Sequence, residues 1–340
     1  VTRSRGTGPA RKAGGGLRAV AAAACAGGLL LAGAQLYPAA AQPAPQDGAV
    51  RTGPAVNTPA SAHSLDEFWT AERMRGAVPL DLAAARSDDR HGKPAPRGEP
   101  RTVGPRAAPA EFPEPGGEWT GEGVVSETTG RVFFTHQGRT ASCSGSAVTS
   151  ENASTVVTAG HCVKMDGEWH TDWVFVPGYR DGEAPHGTWP ATTTLTTPQW
   201  EASEDIDYDI GAAVVEPLEG TKLTDAVGGQ GLAFNTAHGE DMYAFGYPAA
   251  EPYDGERLAY CSGTAFQDPL LTGDHGLDCD MTGGSSGGPW FTQFDEETGG
   301  GLLSSVNSFG YVFLPDTMFG PYFGAEAEAL YDEAQTTGAG

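Results

Sequence analysis

The sequence predicts an all-β protein of the sandwich or barrel kind, and three observations predict it. From about residue 112 onward the chain is a series of short β-branched and aromatic runs. They are Arg131–Phe134, Thr155–Thr158, Trp173–Val176, Ile210–Val215, Met242–Phe245 and Leu302–Val306, broken by Gly, Pro and Asp turns. The region holds about 230 residues, enough to bury two barrel cores. Only Glu326–Ala334 reads clearly as helix in this region, with Ala327, Leu330, Tyr331 and Ala334 on one face, and it is expected to cap the second barrel.

The chain has 340 residues, room for two or three domains. Arg3, Arg5, Arg11, Lys12 and Arg18 precede an apolar run from Ala19 to Leu36, followed by Ala39-Ala40-Ala41. A basic start, a short Ala/Gly-rich apolar run and a small-residue cleavage site predict a secretory signal peptide over 1–41 rather than a membrane anchor. Val1 is unusual for a translated start and fits a non-standard initiation codon.

Residues 42–111 are rich in Pro, Ala, Arg and Gly. Within them Ser64–Arg75 has Leu65, Phe68, Trp69 and Met74 at helical spacing behind a Ser-x-x-Glu capping box. One amphipathic helix buries no core by itself. The segment therefore reads as a propeptide with a protease-sensitive linker, against a disordered spacer as the plainer alternative. Charge divides the chain at the same place. Residues 1–111 carry 14 Lys/Arg against 9 Asp/Glu, and residues 112–340 carry 6 against 35. So acidic a domain, 112–340, excludes nucleic-acid binding through phosphate contacts and draws cations inward. The basic prosegment suits docking on it, with solvated surface charge in a secreted protein as the plainer alternative.

The chemistry gathers around Thr282-Gly283-Gly284-Ser285-Ser286-Gly287-Gly288-Pro289, followed by Trp290-Phe291. Residues this small and polar form a tight loop entering a buried strand. Small neighbours expose the Ser286 hydroxyl and leave the N–H groups of Gly284 and Ser286 free to converge on one spot. Acyl transfer needs such a nucleophile and such oxyanion donors. Serine needs a base, and Thr155–Cys162 ends a β-branched strand in Ala-Gly-His-Cys, offering His161. The base needs an orienting acid. Asp209 directly precedes the apolar strand Ile210–Val215, where a buried carboxylate is costly without a partner. That favours it over Asp205 and Asp207.

The order His, Asp, Ser with the strings TAGHC, DIGAAVV and GGSSGGP resembles the chymotrypsin-like (trypsin-like) serine protease family, in its bacterial secreted branch related to glutamyl endopeptidases. The resemblance runs from about Phe112 to the C-terminus. It implies two antiparallel six-stranded β-barrels with a C-terminal helix, His161 and Asp209 in the first barrel and Ser286 in the second. It implies a catalytic triad of His161, Asp209 and Ser286, and an oxyanion hole from the N–H groups of Gly284 and Ser286. Ser308, Phe309 and Gly310 resemble the family's substrate-binding strand, which pairs with the substrate backbone and walls the specificity pocket. The implied protein is a secreted, extracellular, monomeric serine endopeptidase without cofactor or metal. Its partners are protein or peptide substrates and its own propeptide, with no nucleic acid and no membrane in the mature form.

Two positions depart from the family pattern. Ser285 stands where the trypsin branch has the Asp that pairs with a new Ile-Val-Gly-Gly terminus, and no such terminus occurs in the chain. Asn307 stands where glutamyl endopeptidases carry a His, which argues against glutamate specificity. Asp280, six residues before Ser286, matches the pocket-floor acid of trypsin-like enzymes and points to cleavage after Lys or Arg. Large apolar residues are the competing preference.

Cys25 leaves with the signal peptide, and four cysteines remain, an even count for a secreted chain. Of the three pairings, Cys143–Cys162 with Cys261–Cys279 joins residues fewer than twenty apart. Each such loop is worth about 3 kcal/mol in the chain-entropy model. The resemblance also implies the first bridge, which ties the strand at Cys143 to the His161 loop. A zinc reading lacks the Cys-x-x-Cys or His-x-x-x-His spacing. An α/β-hydrolase reading of Gly284–Gly288 fails on order, because the last histidine, His275, precedes Ser286. The non-enzyme alternative is a catalytically silent, protease-like secreted binding protein.

Overall fold

The structure, a computed structural model, describes residues 49–54, 64–65, 67–83, 98–103 and 112–338. The expected signal peptide, residues 1–41, lies outside the described residues. Among the described residues, no helix is long and apolar enough to cross a membrane.

Six antiparallel strands close on themselves in the first half. They are β1 (Thr129–His136), β2 (Arg139–Ala147), β3 (Thr155–Thr158), β4 (Thr171–Pro177), β5 (Trp189–Thr196) and β6 (Gly211–Val215). The order β4-β1-β2-β3-β6-β5 returns from β5 to β4, completing the barrel. β1 and β2 form a two-residue hairpin at Gln137-Gly138, both with positive φ, the turn whose twist matches paired strands. β1 does not alternate because both its faces are covered. Phe134 stacks on His170 at 4.3 Å, while Phe133 meets Trp69 at 5.4 Å and Tyr179 at 5.6 Å.

The second half departs from the expected closed six-stranded barrel. Its main strands are β7 (Gly231–Phe234), β8 (Asp241–Gly246), β9 (Ala259–Thr264), β10 (His275–Asp278), β11 (Pro289–Asp295), β12 (Gly300–Val306) and β13 (Thr317–Gly320). Among the described residues they form two sheets. One runs Arg101–Val103, β7, β12, β11, β8, β9, Glu114–Glu118, and the other Phe266–Gln267, β10, β13, Phe309–Gly310, Leu82–Ala83. Hydrogen bonding does not join the two sheets into one ladder. The Cys261–Cys279 disulfide, Cα atoms 5.4 Å apart, clasps β9 of one sheet to the end of β10 of the other.

The C-terminal helix spans Ala325–Thr336 and buries Ala327, Leu330, Tyr331 and Ala334, the face read from sequence. Its position differs from the expectation. It does not cap the second barrel, but lies on the first barrel at Val157 and Ala212 and on β7 at Leu232 and Phe234. Asn152 donates to the Ala334 carbonyl at 2.8 Å, and Tyr331 donates to that of Thr149 at 2.7 Å. The helix covers apolar residues of the first barrel and of β7 that would otherwise meet water.

Much of the described part of 42–111 is built into the fold rather than left as linker. Arg51–Thr52 extends β5, Arg101–Val103 extends β7, and Val78–Pro79 runs parallel to β2. The expected helix at 64–75 is interrupted: residues 64–65 and 67–68 are helical, and a second helix, Ala71–Arg75, starts at the Thr70 N-cap. Leu65, Trp69 and Met74 are buried in the first-barrel core, and Trp69 donates its indole N–H to the Asp172 carbonyl at 2.9 Å. The helix that could bury no core alone buries its face on another part of the chain.

Candidate active site

β3 ends at Thr158, and the chain turns at once through a short 3₁₀ turn, Gly160–Cys162, that carries His161. The turn is fixed from several sides. Cys162 is bonded to Cys143 of β2, with Cα atoms 6.1 Å apart. Trp200 packs against Gly160, where a Cβ would come within 2.8 Å of the indole. The His161 carbonyl accepts from His170 Nε2 at 2.9 Å. Burial holds the His170 imidazole down at about 3, so it is the neutral ring that donates.

Asp209 follows the turn Ile206–Tyr208 and is fully buried at the mouth of β6. Its Oδ1 accepts the His161 backbone N–H at 2.7 Å and its Oδ2 faces His161 Nδ1 at 2.7 Å. The Ser308 hydroxyl donates to Oδ2 at 2.5 Å. These donors answer the desolvation of the carboxylate. Asp205 and Asp207 are also buried, so burial does not single out Asp209; contact with His161 does. Asp207 accepts instead from the Gly273 N–H at 2.8 Å. His161 Nε2 is buried without a hydrogen-bond partner.

The loop Thr282–Gly288 enters β11 as the sequence suggested. Gly284 (φ +97°) and Gly287 (φ +77°) adopt backbone conformations that favour glycine. A Cβ on Gly284 would meet the Tyr247 carbonyl at 2.8 Å. Ser286 sits beside the His161 turn, its carbonyl accepting from Ser144 N at 2.7 Å and lying 3.6 Å from Cys162 Sγ. Ser144 joins the halves: its hydroxyl donates to the Gly284 carbonyl and accepts from Tyr247 N, both at 2.9 Å. The sequence gives no signal for this role beyond its place next to Cys143.

Both departures from the family pattern lie in this loop's support. The Ser285 hydroxyl donates to the Thr282 carbonyl at 2.8 Å, closing the turn on itself. Asn307 is fully buried behind the loop. It donates to the carbonyls of Phe245 (2.8 Å) and Ser285 (3.0 Å) and accepts from Trp290 Nε1 at 2.7 Å. Asn307 braces the Ser286 loop.

A cavity of about 320 Å³ opens beside Ser286, with Asp280, Ser308, Phe309 and Gly310 in its wall. Asp280 is half-buried and its Oδ1 accepts the Tyr253 hydroxyl at 2.6 Å, a tether that sequence reading did not foresee. A larger cleft of about 700 Å³, near Trp119 and Tyr179, includes none of the predicted site residues. Cys143, His161 and Cys162 group three metal-ligand atoms within 4.8 Å. The two sulfurs are spent on each other and Nδ1 on Asp209, so the group has no free donor set for a metal.

No family model matches the chain. The structure is similar to that of the protease Anisep from Arthrobacter nicotinovorans, 42% identical, with a TM-score of 0.61, over 65% of this chain and all of that one. It is also similar to the thermostable serine protease AL20 from an extremophilic microorganism, 43% identical, with a TM-score of 0.60, over 63% of this chain and 99% of that one. A Glu endopeptidase, 18% identical over 68% of this chain and all of its own, shares the fold at a TM-score of 0.53. An extracellular metalloprotease of Bacillus subtilis (strain 168) is 36% identical over 82 residues, 24% of this chain and a quarter of its own length. With the barrel, the buried His161–Asp209 pair and the glycine-framed Ser286 loop in place, these likenesses make the chain a member of the chymotrypsin-like serine protease family.

Proposed function

We propose that the protein is a secreted serine endopeptidase in which His161, Asp209 and Ser286 act as one triad. The observation that carries the reading is the double hold of Asp209 on His161, which leaves Nε2 as the one unengaged ring nitrogen on a turn that meets the Ser286 loop at Cys162. In this reading Nε2 takes the Ser286 proton as Oγ attacks the scissile carbonyl carbon. The oxyanion forms against the N–H groups of Gly284 and Ser286. The imidazolium then protonates the leaving amine, and water repeats the sequence on the acyl-enzyme. Asp209 stabilises the imidazolium and keeps its charge.

Asp280 in the cavity wall supports a preference for Lys or Arg before the cut. Ser308, Phe309 and Gly310 form the edge that would pair with substrate backbone. The two disulfides suit an oxidising, extracellular setting. Residues 1–41 are read as signal peptide, 42–111 as propeptide and 112–340 as the protease domain. The mature protein is read as a monomer. Fluorophosphonate labelling of wild type and Ser286→Ala, with peptides differing only at the residue before the cut, tests the reading. Labelling that persists in Ser286→Ala, or equal cleavage after every residue type, sinks its two parts in turn. Absence of any turnover would leave the silent binding protein.

A further inference from the structure

We propose that residues 77–83 are an intramolecular inhibitor: the Asp81 carboxylate seats on Gly283 at the Ser286 loop and Leu82 fills the apolar subsite beside it. The inference rests on Ser286 being the nucleophile.

The segment crosses the candidate site from one half of the molecule to the other. Val78–Pro79 pairs with Ala141–Ser142 of β2, next to Cys143, and Leu80 N donates to the Ser142 carbonyl at 3.0 Å. Leu82 and Ala83 then pair with Phe309 and Gly310, the edge reserved for substrate. Asp81 lies between these two anchor points. Its carboxylate packs so closely on Gly283 that a Cβ there would strike it, and it stands within electrostatic reach of His161 and the Gly284 N–H. Burial raises the carboxyl's affinity for its proton, against the pull of His161 and the Gly284 N–H. Leu82 is 8% exposed and clusters with Trp200, Ile206, Phe309, Tyr311 and Phe319. Asp81 and Leu82 line the same cavity as Ser286.

This occupancy blocks the site without offering a bond to cut. The group beside the proposed oxyanion donor is a side-chain carboxylate, not a peptide carbonyl. It carries no leaving amine, and its negative charge resists attack by oxygen. A peptide substrate cannot pair with Phe309–Gly310 while Leu82–Ala83 holds that edge. The contacts are few, but Trp69 and Met74 anchor the segment in the first-barrel core. Such a tether converts weak contacts into an effective concentration in the millimolar range, about that of short flexible linkers.

The test uses the full chain. Wild type, Asp81→Ala and Leu82→Lys are purified, checked for a cooperative melt, and labelled at once with a fluorophosphonate. Ser286→Ala serves as the blank. Wild type is expected to label at least about tenfold more slowly than either variant, a margin of about 1.4 kcal/mol of site occupancy. A peptide of residues 70–83 is expected to slow labelling of Leu82→Lys, and the same peptide with Asp81→Ala to do so less. Equal labelling of wild type and both variants, with none in Ser286→Ala, overturns the inhibitor and leaves the protease reading intact. Labelling that does not depend on Ser286, or none in any chain, overturns both.

Discussion

Asp209 grips His161 at two points, its Oδ1 on the backbone N–H and its Oδ2 on Nδ1, each at 2.7 Å. The backbone contact fixes where the residue is, and the side-chain contact fixes how the ring turns and which nitrogen it presents. Asp209→Asn keeps the shape but can present an amide N–H to Nδ1, which favours the wrong tautomer. A loss of about 10⁴-fold in kcat is expected, with little change in KM. Ser286→Ala is expected to lose at least as much. Steady-state hydrolysis of a peptide ester and amide checks both, and rates within tenfold of wild type would remove the residue concerned from the mechanism.

Gly284 combines a positive φ with a carbonyl wall at Tyr247. Gly284→Val forces the loop to move and is expected to turn its N–H away from the proposed oxyanion position. A fall in kcat of about 10²–10³-fold is expected, with KM within a few-fold, because the donor acts mainly in the transition state. A KM effect alone would place the oxyanion donors elsewhere.

Asp280 is held by the Tyr253 hydroxyl at 2.6 Å. Asp280→Ser is expected to abolish the proposed Lys/Arg preference. Tyr253→Phe releases one carboxylate oxygen and is expected to raise kcat/KM for basic substrates by a few-fold. A basic preference that survives unchanged in Asp280→Ser would show that the pocket acid is another residue.

Asn307→Ala would strand the Trp290 indole N–H and the carbonyls of Phe245 and Ser285, all in a buried setting. Each lost partner costs about 1–3 kcal/mol. Denaturant unfolding is therefore expected to show a loss of several kcal/mol, well above that of an exposed Asn→Ala control. A change no larger than the control's would mean that Asn307 does not brace the loop.

His170 is buried, stacked on Phe134, and held neutral down to about 3. The unfolded chain takes up the proton near 6.5, so between these values the unfolded state binds more protons. Stability from this group is complete above about pH 6.5 and falls with pH by about 1.4 kcal/mol per unit until near pH 3. His170→Gln keeps a donor for the His161 carbonyl but does not titrate. Its acid-limb slope in urea melts is expected to be flatter than wild type's, and identical slopes would refute the assignment.

The sequence by itself determined the elements that local chemistry dictates. Thr155–Thr158 is the strand its β-branched run implies, Ala327, Leu330, Tyr331 and Ala334 form the buried helix face, and the Gly-rich loop around Ser286 turns where glycine alone is comfortable. Cys143–Cys162 and Cys261–Cys279 were legible because short loops between cysteines close at little entropic cost. Only the tertiary structure decided which of three buried aspartates meets His161, because burial alone is shared by Asp205, Asp207 and Asp209. It decided that the second half is two sheets clasped by a disulfide, and that the helix packs on the first barrel and on β7 rather than capping a second barrel. It also decided that Asn307 is a brace, that Tyr253 holds Asp280, and that Asp81, an unremarked acid in a segment read as propeptide, lies on Gly283. The physical reason is the same in each case. A turn, a helical face or a short disulfide loop depends on neighbours in sequence. These contacts join residues from 22 to more than 200 positions apart, and their partners are chosen by packing, which no local pattern encodes.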